Sequence, residues 1–405
     1  MRMPALLIAA ATALALAAPA HAKTIPVAAG EGAQTRLQEA LILAEPGDVV
    51  ELGAGRFVLT DGLSLDVKGV TVRGQGMDAT VLDFSGQKGS GEGLLVTSDE
   101  VTLRDFAVEN TKGDGIKSKG ADNIVYYRVR VTWTGGPKTT NGAYGIYPVE
   151  STGVLVDGCE VSGASDAGIY VGQSRKITVR RSTARENVAG IEIENSRDAL
   201  VENNFVTANT GGILVFDLPN LPVMGGGNVV IRDNLVADNN TPNFAPKGNI
   251  VASVPSGTGI MVMANDKVWV NDNVLVDNPT AAVMVVAYPN AFKDAKYNPY
   301  PREVTVDWNR VRTGSGTPGL PGGAELAKAF GGTLPPVMWD GLSESADVSA
   351  IFVDPEMPGW SLNLTAQGQG LDKARPGPLK APPRGQPMSL DGIGAPAALD
   401  ARARP

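Results

Sequence analysis

Glu192 and Glu194 stand one residue apart in the stretch Ile191-Glu192-Ile193-Glu194, and Asp217 follows at the start of an insertion. Carboxyls grouped in this way support two kinds of chemistry. Three oxygen donors can hold a hard divalent cation such as Ca2+. Alternatively, two carboxyls can divide the roles of acid and base, or acid and nucleophile, across a glycosidic bond. Lys138, Lys247 and Lys117 are the amines that would serve as base beside a bound cation. Asp166 offers a further carboxyl, and Tyr147 and Tyr170 offer flat faces. Trp133, Tyr144 and Phe216 are within reach of the same strands, and Asn243 lies on the loop that carries Lys247. Each group also has an ordinary reading. The tyrosines read equally well as stacked strand aromatics, Asp166 and Asp114 as turn residues, and Lys138 and Lys247 as loop lysines. Glu192 and Glu194 read as a wet strand face, against which stands the mutual repulsion of two like charges on a narrow ledge.

The chemistry is bounded by what is missing. Arg2, the Ala/Leu/Ile stretch at 4–18 and Ala20-His21-Ala22 have the form of a cleaved export signal spanning 1–22. The mature chain would then begin at Lys23 in the periplasm or outside the cell, with no membrane span left. His21 is the only histidine, so cleavage removes all imidazole chemistry, including Ser-His-Asp catalysis and His-ligated zinc or copper. The single Cys159 excludes an internal disulfide. A formal charge of −8 excludes nucleic acid and anionic membranes as natural partners.

The elements that must position these residues come from a repeat. Gly115-Ile116, Gly145-Ile146, Gly168-Ile169, Gly190-Ile191, Gly212-Ile213 and Gly259-Ile260 recur, with Ala282-Val283 as a degenerate seventh pair. The aliphatic members are spaced by 30, 23, 22, 22, 47 and 23 residues, a base period that suits one turn of a parallel β-helix. Asn204, Asn234 and Asn273, each followed five residues later by Asn209, Asn239 and Asn278, predict inward amide ladders, with Cys159 as buried filling in one of them. The fold class expected is all-β, a right-handed parallel β-helix over residues 23–317. Leu37, Ala40, Leu41 and Ala44 share a helical face that would form a short N-terminal capping helix. Residues 318–365 are expected to pack irregularly along the solenoid, and the Pro/Ala/Gly-rich residues 366–405 to form a disordered tail.

Stacked coils turn one strand position into a column. One column reads Lys117, Tyr147, Tyr170, Glu192, Leu214, Met261, Met284; its neighbour reads Lys119, Val149, Gly172, Glu194, Phe216, Met263, Val286. Insertions at 131–144, 217–227 and 241–258 flank this face and would wall a groove around it.

The amphipathic segment leading into Pro46-Gly47-Asp48-Val49-Val50-Glu51-Leu52, followed by Gly-Ile coils with in-register Asn, resembles the pectin-lyase-like superfamily over roughly residues 33–310. Trp133-Thr134-Gly135-Gly136-Pro137-Lys138-Thr139-Thr140-Asn141-Gly142-Ala143-Tyr144-Gly145 is similar to bacterial exported parallel β-helix repeat-containing proteins. The resemblance implies a polysaccharide as partner. It also implies a lyase, hydrolase, epimerase or non-catalytic binder, and three of these stay open. Glu-x-Glu on one coil is similar to the calcium site of the alginate lyase and chondroitinase B group, which implies Ca2+ on Glu192, Glu194 and Asp217. The Asn which that group supplies from the preceding coil has only Tyr170 and Gly172 in its place. The superfamily's epimerases and polygalacturonases use a histidine that the mature chain lacks. Hydrolysis by paired carboxyls and simple binding on the tyrosine stripe complete the set.

Overall fold

A computed structural model describes residues 22–314, 316–344, 351–379 and 388–404; the segment read as an export signal lies outside these except for Ala22. The chain winds into a right-handed parallel β-helix. One of its sheets is formed by β1 (Leu63–Leu65), β2 (Leu94–Val96), β3 (Ile116–Lys119), β4 (Tyr144–Val149), β5 (Ala167–Gly172) and β6 (Ala189–Glu194). It continues through β7 (Gly211–Phe216), β8 (Thr258–Met263), β9 (Ala281–Val286), β10 (Val337–Trp339) and β11 (Gly359–Ser361). The short β12 (Gly377–Pro378) closes it in antiparallel sense. The remaining strands form the other walls, also parallel.

The repeat sets the register. Ile146 pairs with Ile116 and Ile169, Ile191 with Ile169 and Ile213, and Ile260 with Ile213 and Val283. All seven side chains point inward and are fully buried, each such burial stabilising the fold by about 1.5–3 kcal/mol. The glycine before each isoleucine has a steric cause. A Cβ at Gly145 would lie 2.2 Å from Val161 Cγ1 and 2.6 Å from the Gly168 carbonyl oxygen, so only hydrogen fits between coils.

The asparagines form the expected ladders. Asn204 Nδ2 donates to Asn234 Oδ1, Asn234 to Asn273 and Asn273 to Asn309, at 3.0, 2.9 and 2.9 Å. A parallel ladder runs Asn187, Asn209, Asn239, Asn278. Cys159 heads the first column: its N–H donates to Ser182 Oγ, whose N–H donates to Asn204 Oδ1. The thiol is buried and its pKa is pushed up to about 12 by burial, as suits filling rather than reactivity.

Helix α1 (Ala33–Leu43) caps the solenoid, burying Ala33, Leu37, Ala40 and Leu41. It starts after Gly32, whose φ of 72° turns the chain in, and ends before Pro46. The C-terminal part differs from expectation. Within 318–365, β10 and β11 extend the sheet, and Ile351–Val353 pairs with Arg302–Asp307 on another wall. Val337, Ile351 and Val353 stack in the same core, although Pro- and Gly-rich connections have erased the Gly-Ile signature. Helix α2 (Gly323–Ala329) lies in the first of these connections. Nor are all the residues from 366 onward loose. Helix α3 (Ala398–Ala403) buries Leu399 and Ala403 against Val125 and Leu155. Arg402 donates to the carbonyls of Asn123 and Glu100. Two apolar residues and a few arginines, too sparse to stand out by composition, suffice to dock it.

Candidate functional site

The columns form as the repeat requires. Tyr147 pairs with Lys117, Tyr170 with Glu192, and Glu192 with Leu214; Leu214, Met261 and Met284 follow. In the neighbouring column Gly172 pairs with Glu194 and Glu194 with Phe216. At the upper end Tyr144, Tyr147 and Tyr170 gather into one cluster. Ring centroids lie 4.5 Å apart for Tyr144–Tyr147 and Tyr144–Tyr170, and 5.0 Å for Tyr147–Tyr170. Lys117 Nζ sits 5.0 Å over the Tyr147 ring, 3.0 Å from Glu92 and 4.0 Å from Asp114. Tyr144 and Tyr147 keep part of their surface open, whereas Tyr170 is buried.

Below the tyrosines, Asp166, Glu192 and Glu194 are buried together at 5 %, 1 % and 7 % exposure. Tyr170 Oη donates to Glu194 Oε1 at 2.6 Å, and Asn249 Nδ2 donates to Asp166 Oδ2 at 2.9 Å. Glu192 Oε2 is buried without a conventional donor. Burial, and then the charge of its neighbours, raises the Glu192 carboxyl well above the carboxylate range. Burial likewise lifts Asp166 and Glu194 to about 7 and Asp114 to about 6. A proton shared between Glu192 and Glu194 relieves their repulsion, while Glu192 Oε2 keeps no donor of its own.

Other expected members are placed differently. Trp133 is a core residue: its Nε1 donates to the Thr111 carbonyl at 2.7 Å, and its ring packs with the inward aliphatics. Phe216 is buried as well, within the outer apolar cluster of the same face. The Asp217 carboxylate accepts from the backbone N–H groups of Gly225 and Gly226, which ties down its own loop. Lys138 and Lys247 are exposed on their loops, and neither makes a hydrogen bond or ion pair to the carboxyls among the described residues. Asn243 donates to the carbonyls of Val251 and Val254 and so shapes its loop from within. Among the described residues no three His, Cys, Asp or Glu side chains are arranged to hold a metal ion. With Asp217 committed to backbone amides, the Ca2+ set of Glu192, Glu194 and Asp217 is not assembled.

The insertion at 241–258 roofs the face rather than walling it. Phe244, Ile250, Val251 and Val254 pack onto the sheet beside Tyr170 and Leu214. The bed for them is a third column, Ala167, Ala189 and Gly211, whose small size admits the loop. A Cβ at Gly211 would meet Val254 Cγ1 at 3.0 Å. Asn249 and Glu92 were missed because nothing in their spacing announces them; each arrives from a connection, not a rung. Further down, Met261, Met263, Met284 and Met338 line an apolar cavity of about 330 Å³ beside the buried Asp340.

A family model described as right handed beta helix region matches residues 92–294. Among solved structures, the mannuronan C-5 epimerase AlgE4 A-module of Azotobacter vinelandii aligns at 13 % identity over 82 % of this chain and 94 % of its own, with a TM-score of 0.52. An alginate lyase from Paenibacillus sp. aligns at 18 % identity over 72 % and 96 %, TM-score 0.43. A polygalacturonase from Erwinia carotovora aligns at 13 % identity over 83 % and 94 %, TM-score 0.44. The first of these likenesses shows a common fold. No curated protein matches the sequence.

Proposed function

The protein belongs to the right-handed beta helix family, whose model spans half of its chain, and from that premise we propose that it is an exported protein that binds polysaccharide on the outward face of β3–β6. The observation that carries the reading is the cluster of Tyr144, Tyr147 and Tyr170 on adjacent rungs, with Tyr144 and Tyr147 partly open. Aromatic faces pack against the C–H faces of sugar rings, while Lys117, Glu92 and Asp114 offer hydrogen bonds to hydroxyls at the rim. The mannuronan C-5 epimerase that shares the fold is named for a polysaccharide, which supports the ligand class and no particular sugar. Among the described residues no helix is long and apolar enough to cross a membrane.

A second reading, hydrolysis by paired carboxyls, is favoured by Asp166 and Glu194, which burial raises to about 7. A carboxyl protonated near neutrality can act as a general acid. Turnover would then require the 241–258 loop to lift, because it covers these groups.

Retention on a glycan array, wild type against Tyr147→Ala, tests the proposal. Loss of retention by at least about tenfold, with an unchanged far-UV spectrum, is expected from removing a stacking face. Equal retention by both proteins refutes it. New reducing ends released from a retained glycan, without the ultraviolet absorbance of an unsaturated uronide, would establish the hydrolytic reading.

A further inference from the structure

The proposal that follows rests on the polysaccharide reading and names the class of sugar. Eight carboxylate residues are buried among the described residues: Asp48, Glu109, Asp157, Asp166, Glu192, Glu194, Asp217 and Asp340. Five of them are matched in one of two ways. Glu109 is paired with Arg56 and Arg130, and Asp157 with Arg180 and Arg181. Asp48, Asp217 and Asp340 each accept two backbone N–H groups. Asp166, Glu192 and Glu194 have neither an arginine nor a pair of backbone amides. Between them they receive one amide hydrogen bond from Asn249 and one hydroxyl hydrogen bond from Tyr170, and Glu192 Oε2 is left over. Burying three carboxyls side by side is costly unless protons or a cation complete them, and for Glu109 and Asp157 this chain supplies the cation itself.

We propose that Asp166, Glu192 and Glu194 form a subsite for a protonated amine, so that the polysaccharide recognised carries free amino groups. An ammonium group has three N–H donors and no acceptor. It can donate to Glu192 Oε2 and to Glu194 beside it, and offset the charge that both share with Asp166. The Asn249 carboxamide is the neutral donor that occupies this position on Asp166 when the loop is down. Ligand entry displaces Asn249 and the loop around it, and the tyrosines above receive the sugar ring. A uronate carboxylate at the same place would face Asp114, Asp166, Glu192 and Glu194 with only Lys117 to offset them. The net charge of −8 acts in the same sense, drawing a cationic polymer and repelling an acidic one.

Calorimetric titration of the protein with β-1,4-linked glucosamine hexamer, and with its fully N-acetylated counterpart, tests this at pH 7, where Asp166 and Glu194 are partly ionised. The free-amine oligomer is expected to bind at least about tenfold more tightly, consistent with one charge-assisted group. Glu192→Gln/Glu194→Gln, an isosteric pair, should abolish the preference. Asn249→Ala lies outside the sheet and should strengthen binding of the free-amine oligomer by removing the competing donor. Equal affinity for the two oligomers overturns the proposal, as does a preference that survives in the double variant. Displacement of the amine by millimolar CaCl2 would reassign the subsite to a metal and overturn it too. If neutral glycans are retained on the array but the glucosamine oligomer is not bound, the amine subsite falls and the polysaccharide reading stands. If no glycan of any class is retained, that reading falls with it.

Discussion

Two sets of buried polar side chains mark this solenoid, a ladder inside and a cluster outside, and they are solved in opposite ways. The inward stack, Asn204 to Asn309, is built from amides. Each carries donors and an acceptor, so one geometry repeats from rung to rung and every group is used. Asn234, for instance, donates to Asn273 Oδ1 and to the carbonyls of Val201 and Arg232, and accepts from the side chain and backbone of Asn204. The outward stack is built from carboxyls, which when ionised only accept. A carboxyl cannot satisfy the carboxyl beside it without an added proton or a foreign donor. The ladder is therefore complete in the free protein, and the acidic cluster is not. A polar stack that closes on itself serves stability, whereas one that stays open has affinity to spare for a ligand.

The largest effect should come from breaking the closed stack. Asn234→Leu strands the amide of Asn204 and the carbonyls of Val201 and Arg232, and is expected to destabilise by at least about 3 kcal/mol in urea unfolding. A smaller cost would mean that the ladder is ornamental and the comparison empty. Next in size is a pH effect confined to the open stack. Asp166 and Glu194 have pKa values raised from 3.8 and 4.5 to about 7, so between pH 4 and 7 the folded chain holds protons that the unfolded chain has released. Stability is then greatest at the acid end of this window and declines as pH rises through 7. Asp340, raised to about 7 by burial, adds to the same slope. Calorimetry should give a lower Tm at pH 8 than at pH 5, and Asp166→Asn should flatten the difference; a Tm that rises over this range contradicts the assignment.

Glu192→Gln supplies the missing donor to Glu194 without changing shape. It should therefore stabilise the free protein at pH 8 by about 1 kcal/mol, the ordinary worth of one internal hydrogen bond. Destabilisation by the same substitution would show that Glu192 already has a partner. The mildest change is Tyr170→Phe, which deletes the hydroxyl that donates to Glu194 while leaving the ring in place. A loss of up to about 1 kcal/mol is expected, together with a rise in the Glu194 pKa observable by carboxyl NMR titration.

The solenoid was legible because its repeat is a steric necessity. The Gly-Ile pairs mark where coils approach too closely for a Cβ, and the asparagines mark a ladder that needs an amide at every rung. Tyr147, Tyr170, Glu192 and Glu194 could be placed on neighbouring rungs for the same reason, since the register follows directly from the period. What could not be read was whatever reaches the face from outside the period. Asn249 belongs to a loop whose path depends on Val254 settling over Gly211, a contact with no counterpart in sequence spacing. Asp217 looked like a ligand because the two amides that claim it lie within its own loop. Trp133 looked within reach of the groove because it sits on an insertion beside it, but its N–H had a carbonyl of the preceding coil to meet. Beyond residue 317 the core continues on a few aliphatic residues, too widely spaced to register as a pattern.

Helix α3 gives the molecule a property that a simple stack of coils lacks. Parallel β-helices assemble from contacts between neighbouring turns, so each turn can settle as soon as the next is made. Arg402 instead bonds to Thr102, three hundred residues earlier, and Asp400 pairs with Arg180. These bonds cannot form until residues 398–403 have been made, so early turns gain contacts from a segment some three hundred residues further along the chain. Detaching α3 would uncover Val125 and Leu155 on those early turns while leaving the turns between paired, so the helix acts as a latch across the stack.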